Sequence, residues 1–476
     1  MFIRCIIVLD KLFKIVKERE IGMKTEKVDL LFAEIGSTTT VLTAFHFGIK
    51  PKVIAQAEHW TTVNEGDVTI GIETALKKME EKIGSKISWE KFAATSSAAG
   101  GLKMTVHGLV YDMTVRAARE AALGAGAVIK YVTAGKMDDF HLKKILSIQP
   151  KLILLAGGVD YGESETVVHN AKMLAKLDLD VPIIYAGNVA AAEHVEYILS
   201  SAGKKVYITE NVYPRIDYLN VEPTRNVIKE VFAEHIIKAP GMEKIKDMVN
   251  YEIIPTPAAV MKTTELAYEH FGDCLTIDIG GATTDVDSVT EGSPEIQEMM
   301  ISPEPFAKRT VEGDLGLYVN AHNVIEMMGE ENLRKQFEDY DELLSRISPY
   351  PQGDRDEYFI SKLATFCVQQ GIRRHAGSKK HLYTPTGRKT IAEGKDLTAV
   401  KYVFGTGGFL SRSKYAKEAL ESIRHLSRLH PMELLPSENI KLFRDERYIF
   451  AAIGLIASKI DKDIAKELLI NDVKEY

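Results

Sequence analysis

Cysteine is scarce: Cys5, Cys274 and Cys367 are the only three in 476 residues, and no two form a Cys-x-x-Cys pair. A disulfide framework and an iron–sulfur cluster held by this chain alone are therefore excluded, and a reducing cytoplasm is the expected location. Basic surplus is also missing. The net charge of −7 argues against binding driven by nucleic-acid phosphates, which needs a basic face. No apolar run reaches the ~20 residues that span a bilayer. The opening MFIRCIIVLDKLFKIVKERE is broken by Asp10 and Lys11 and has no small-residue cleavage site after it, so it reads as a short amphipathic helix, with Met23 as an alternative start. GxGxxG and GxxxxGK[ST] are both absent, which ranks a dinucleotide fold and a P-loop low.

What is present is a long chain with 45% hydrophobic and 27% charged residues, the balance of a globular protein of two or more domains. Its chemistry concentrates in Leu275 to Ser288, LTIDIGGATTDVDS. A strand ends at Asp278 and is followed by Gly280, Gly281, Thr283, Thr284 and Asp285. That order suits a tight turn laying amides and hydroxyls against a phosphate, with a carboxylate behind it for a metal. The design recurs at Leu30 to Leu42, LLFAEIGSTTTVL, with Glu34, Gly36, Ser37, Thr38, Thr39 and Thr40. A third cluster, VFGTGGFLS at Val403 to Ser411, supplies Gly405, Thr406, Gly407 and Gly408.

Along the chain, three strands are expected from Val28 to about His59, with a turn at Gly48 to Pro51, and a helix from Asp67 to Lys82. Phe92 to Gly101 is an apolar strand running into small residues, and a helix from Val115 to Leu123 stops at Gly124-Ala125-Gly126. Buried parallel strands at Leu152 to Gly158, Pro182 to Gly187 and Lys205 to Ile208 alternate with helices at Thr166 to Leu177 and Ala190 to Ala202. This βαβαβ unit either continues the first lobe or is inserted into it. Pro240-Gly241 and Pro255-Thr256-Pro257 mark a boundary, giving an N-terminal extension (1–26), a first lobe (27–255) and a second lobe (256–476). Helices follow from His322 to His375, broken at Ser348-Pro349-Tyr350-Pro351, and the tail from Tyr448 to Leu469 is helical, with a narrow face of Ala451, Ala452 and Gly454.

Phosphoryl chemistry needs the β and γ phosphates neutralised, an in-line nucleophile and exclusion of loose water. Glu34 and Asp278, at equivalent positions of two facing hairpins, would hold Mg²⁺, which keeps several of its waters. Ser37 to Thr39 and Gly280 to Thr284 would grip phosphate oxygens. Asp278 is the leading catalytic carboxylate, Asp285 the nominee to orient water, and Glu312 the nominee for a ribose or metal contact.

Two phosphate-type hairpins followed by a late glycine-rich turn resemble the phosphate and adenosine motifs of the actin, heat-shock-chaperone and sugar-kinase superfamily of ATPases. The resemblance implies an α/β fold of two actin-like, ribonuclease H-like lobes, ATP with Mg²⁺, and a cleft that closes on nucleotide. Glu34 stands where that superfamily usually has Asp. Jointly, EIGSTTT, TSSAAGGLKM, LLAGGVDYGE, IDIGGATTDV, RTVEGDLG and FGTGGFLS resemble one family from about Lys27 onward, the MutL family of glutamate mutase accessory proteins, unrelated to the mismatch-repair protein of that name. The resemblance implies a slow, cytoplasmic ATPase that reactivates an adenosylcobalamin-dependent mutase, binding its subunits and neither nucleic acid nor membrane. Two alternatives share the lobes. A hydantoinase- or oxoprolinase-like ring-opening enzyme is disfavoured by the lack of a metal-type His cluster, and a small-molecule kinase would need Asp285 as base.

Overall fold

The computed structural model describes residues 24–97, 102–125, 127–236, 242–384 and 387–476. The helix expected in the first twenty residues, the Gly100-Gly101 turn, Gly126 and the Pro240-Gly241 break lie outside them.

The first sheet is built from β1 (Thr25–Ile35), β2 (Thr39–His46) and β3 (Lys52–Trp60), followed by α1 (Val68–Ile83) and β4 (Lys86–Ser96). Leu30 to Ile35 are all buried, as a strand covered on both faces requires. Asp67 starts α1 by accepting from the Thr69 amide at 3.0 Å, and Gly84, at φ 68°, ends it. The helix buries Ile72, Ala75 and Met79 against the sheet.

The chain then leaves this sheet for β5 (Leu102–Gly108), α2 (Arg116–Gly124), β6 (Ala127–Ala134), α3 (Asp139–Ile148), β7 (Leu152–Leu155), α4 (Glu165–Ala175), β8 (Ile183–Tyr185), α5 (Ala192–Ser201) and β9 (Val206–Ile208). All pairings among these strands are parallel, in the order β6-β5-β7-β8-β9. The unit expected from three strands and two helices is thus a five-stranded sheet in which a helix follows each of the first four strands. Relabelled from its own first strand, its order is 2-1-3-4-5, one of the two common doubly wound arrangements. After α6 (Glu222–Ile236), the short β10 (Ile254–Pro255) returns the chain to the first sheet, where it pairs beside β4.

The helix α7 (Thr256–Phe271) leads into β11 (Cys274–Ile279), β12 (Thr284–Val289) and β13 (Ala307–Glu312). Three short helices precede α8 (Asp354–His375), which carries Asp354, Asp356 and Glu357 in its first turn and Arg373, Arg374 and His375 in its last, the charges that suit each end of its dipole. The hairpin β14 (Ser378–Thr384) and β15 (Gly387–Glu393) precedes β16 (Tyr402–Thr406), α9 (Gly407–Arg412), β17 (Lys441–Asp445), α10 (Phe450–Lys459), α11 (Lys462–Asp472) and β18 (Val473–Glu475).

The strand order is decisive for the fold. The first sheet reads β3-β2-β1-β4-β10 and the second β13-β12-β11-β16-β17-β18. In each, three antiparallel strands are followed by two that run parallel to the first. A ribonuclease H-like lobe therefore occurs twice, which is the actin-like architecture. Between the lobes, α7 crosses α10, and a Cβ added to Gly454 would lie 1.8 Å from the Ala259 carbonyl oxygen. The small-residue face of the tail thus lets two helices touch backbone to backbone. Around them one core joins Leu30 and Phe32 of the first sheet to Phe404, Phe443 and Phe450 of the second half. Each such side chain contributes roughly 1.5–3 kcal/mol on burial.

Candidate nucleotide site

A cleft of about 500 Å³ opens between the lobes and is lined by Glu34, Gly36 to Thr39, Asp278, Gly280 to Thr283 and Asp285. The two hairpin turns are built alike. The Gly36 amide donates to the Thr39 carbonyl at 2.9 Å, and the Gly280 amide to the Thr283 carbonyl at 2.9 Å. The carbonyls of Gly280 and Gly281 are engaged by the amides of Leu317, Tyr318 and Val319. Among the described residues, the amides of Ser37, Thr38, Gly281 and Ala282 donate to nothing. Two turns of unengaged amides bordering one cleft are what an anion-binding concavity would require.

Behind the turns lie carboxylates. Burial pushes Asp278 well above the usual carboxylate range, and neighbouring Asp285 and Glu34 push it further. Burial raises Glu34 to about 7, against the pull of a hydrogen bond from Tyr448. The Tyr448 hydroxyl donates to Glu34 Oε1 at 2.6 Å from the opposite lobe. The added methylene of Glu34, relative to the Asp usual in the superfamily, thus reaches across the cleft. A carboxylate whose charged form two neighbouring carboxylates disfavour sits in a donor set whose repulsion a divalent cation would relieve.

Asp285 is held from behind. Arg309 Nη2 donates to its Oδ1 at 2.5 Å and Thr283 Oγ1 to its Oδ2 at 3.2 Å. The other end of the same guanidinium, Nη1, donates at 2.8 Å to the Leu123 carbonyl in the last turn of α2. Arg309 is 1% exposed, and buried Asp287 lies 4.0 Å from its Nε. One buried cation therefore joins the lining of the cleft to the helix α2 that packs with the inserted sheet.

Several residues nominated from the sequence sit elsewhere. The Thr284 hydroxyl donates to the Leu315 carbonyl at 2.8 Å and is fully buried, so it cannot reach a phosphate. Glu312 is ion-paired with Arg374 at 2.9 Å, outside the cleft lining, because β13 carries it to the rim of the sheet. Gly405 is a strand residue packed against Leu410 and Leu420, and the Thr406 hydroxyl donates to buried Asp445 at 2.7 Å. Gly407 adopts φ 87° and packs against Ile279 and Asp278, which only a residue without Cβ allows. Of that cluster, Gly408 lines the cleft.

The structure adds residues the motifs did not reveal. Arg412, one turn beyond Gly408, forms an ion pair with Glu58 of the first lobe. Trp60 meets Tyr350 edge-on at 5.3 Å between centroids. Glu357 Oε1 accepts from Ser413 at 2.6 Å beside Gly408, where the lining of α8 and α9 could receive a nucleoside. Ser97 and Thr256, where the chain departs for the inserted sheet and returns from it, also line the cleft.

The profile of a family described as MutL protein matches residues 30–473. The chain belongs to the MutL protein family. Protein MutL of Clostridium tetanomorphum is 37% identical to it over 454 residues, 90% of this chain and 96% of that protein. Among solved structures, this MutL-family chain is similar to nucleotide-free acetone carboxylase, with 12% identity and a TM-score of 0.40 over 90% of this chain and 70% of the other. It is similar also to the ethanolamine utilization protein EutJ of Carboxydothermus hydrogenoformans, with 12% identity and a TM-score of 0.28 over 89% and 87%. A nucleotide-free diol dehydratase-reactivating factor matches with 10% identity and a TM-score of 0.30 over 90% and 99%. The fold of this MutL-family protein rests on its twice-repeated strand order rather than on these distant superpositions. Among the described residues no helix is long and apolar enough to cross a membrane.

Proposed function

We propose that the chain is a slow, cytoplasmic ATPase that acts as a reactivating accessory factor for an adenosylcobalamin-dependent mutase such as glutamate mutase or an aminomutase. The observation that carries the ATP part is the pair of matched turns with four unengaged amides, one turn from each lobe, on a single carboxylate-backed cleft. Membership of the MutL family supports the mutase part.

The amides of Ser37 and Thr38 would take phosphate oxygens from one side and those of Gly281 and Ala282 from the other. Among the described residues no cluster of three His, Cys, Asp or Glu side chains could hold a metal by itself, so Glu34 and Asp278 would hold Mg²⁺ together with phosphate and water. Bound there, Mg²⁺ would neutralise charge on the phosphate oxygens. Asp285 has donors on both oxygens, which suits orienting a water more than taking the proton of an acceptor alcohol, and this disfavours a small-molecule kinase. Because the two halves of the grip lie on different lobes, nucleotide favours the closed arrangement through contacts that exist only when the cleft is shut.

The test is phosphate release by the purified chain with and without an inactivated mutase, scored together with recovery of mutase activity. Slow turnover accelerated by the mutase is expected. Asp278→Asn should lower turnover by about 10²–10³-fold, the scale of losing one electrostatic stabiliser of a transition state, with the fold unchanged. A chain that binds no ATP and leaves the mutase inactive would end this reading.

A further inference from the structure

In a doubly wound parallel sheet, ligands and partners meet the carboxyl ends of the strands, because the loops there are free to vary while the strands hold them in place. In the inserted sheet, the loops after β7, β8 and β9 share that edge. Each presents a large apolar side chain to solvent. Tyr161 is 84% exposed and Ile216 69%, with Val189 and Tyr218 beside them in the exposed class. Isolated exposed apolar residues are ordinary, but a contiguous group with a polar rim marks a contact surface.

The group is held rigidly. Asp160 and Asn188 knit the loops together: the Tyr161 amide donates to Asn188 Oδ1 at 2.9 Å, the Val189 amide to Asp160 Oδ1 at 3.0 Å, and the Asp160 amide to the Pro214 carbonyl at 2.9 Å. Asn211 adds a bond to Asp160 at 2.9 Å. Tyr161 and Asp217 hold φ of 59° and 58°, a left-handed conformation that costs energy in residues with a Cβ. The loops are thus fixed in a shape that leaves their apolar residues facing water, and a core-forming loop would have turned them inward.

Charge on this edge is one-sided. The segments 157–163, 188–194 and 209–219 contain Asp160, Glu163, Glu193, Glu210 and Asp217 against a single Arg215, and no lysine. Arg215 is itself stacked on Tyr218, 4.5 Å from the ring centroid. None of these residues lines the nucleotide cleft.

We propose that this edge is the surface on which the chain docks its protein partner, and that the partner presents an apolar centre ringed by lysine and arginine. Resting on the reading above, the occupant is a subunit of the adenosylcobalamin-dependent mutase. An apolar centre excluding water inside a charged rim is the usual anatomy of a protein contact, with the rim setting association rate and salt dependence.

The experiment measures the affinity of the full chain for a purified mutase at two salt concentrations, using the double variant Tyr161→Gly with Ile216→Ser and, separately, Glu193→Lys with Glu210→Lys. Glycine at 161 suits the positive φ, so the first variant should fold, and unchanged ATP binding checks this. Removal of the apolar pair should weaken the complex at least ~10-fold, as central contact residues do, and charge reversal should slow association and abolish its salt dependence. A complex of wild-type affinity in both variants overturns the docking surface while leaving the reactivase reading intact. No complex with the unaltered chain overturns both.

Discussion

In the first lobe the turn follows Glu34, which pairs across its hairpin with Val41. In the second it follows Asp278, which pairs with Asp285. The turns themselves match to the same closing hydrogen bond at the same length. What differs is the second strand. The first lobe has Val41 and Thr43 at the positions where the second has Asp285 and Asp287, and so it needs no cation behind it. The second lobe buries two further carboxylates and sets Arg309 against them. The matched turns are the symmetric part. The extra buried carboxylates and the link to the inserted sheet lie on one side, while the other side makes the contact across the gap, Glu34 to Tyr448.

The asymmetry can be broken where it is largest. Arg309→Met leaves Asp285 and Asp287 buried without their cation, and should lower unfolding free energy by about 3–5 kcal/mol in a urea titration. A loss under ~1 kcal/mol, the scale of a solvated pair, would show that Arg309 does not hold the second hairpin together. The turns give a finer comparison. A Cβ on Gly36 would stand 2.7 Å from the Thr39 carbonyl oxygen, whereas one on Gly280 would stand 3.5 Å from that of Thr283. Gly36→Ala should therefore cost about 1–3 kcal/mol of stability or the equivalent in nucleotide affinity, and Gly280→Ala very little. Equal costs would mean that the two turns are not fixed in the shapes described.

The smallest effect concerns pH. Glu34 must be ionised to serve a metal, so affinity for Mg²⁺-nucleotide should rise with pH through about 7. In the nucleotide-free protein the sign reverses. The folded pKa is raised above the ordinary carboxylate value, so this group's stabilisation is present at low pH and lost as pH rises through about 7. Tyr448→Phe removes a hydrogen bond that favours ionised Glu34. It should weaken binding by about 0.5–1.5 kcal/mol, the net worth of one such bond, and move the rise to higher pH. A profile that stays in place would detach Tyr448 from Glu34.

Both hairpins were legible in the sequence because a strand, a carboxylate, a glycine and hydroxyls lie within about a dozen consecutive residues, and short-range order of that kind survives in a linear string. The helix expected from Asp67 to Lys82 was legible for the same reason, and it runs from Val68 to Ile83. Strand β6 escaped notice because AVIKYVTA at the sheet edge is largely half-exposed and lacks the unbroken apolar run of LILL in β7. The hairpin of β14 and β15 is mostly polar, and in β15 only the adjacent Ile391 and Ala392 are buried, which gives no period-two pattern to read. Site residues were missed where they act across distance. Tyr448 reaches a carboxylate 414 positions earlier, and Arg412 one 354 positions earlier. Thr284 and Thr406 misled because a hydroxyl beside a glycine turn reads the same whether it faces the cleft or a buried partner.

The inserted sheet shares one apolar core with the first sheet, Leu31, Ala33 and Ile35 lying in the same cluster as Met104, Val106 and Leu154, and Ser97, where the chain leaves β4 for it, borders the cleft. In the proposed closure on nucleotide, the inserted sheet would turn with the first lobe as one body, carrying Tyr161 and Ile216 with it. Arg309, joining β13 to the Leu123 carbonyl of α2, is a point at which the second lobe holds that body.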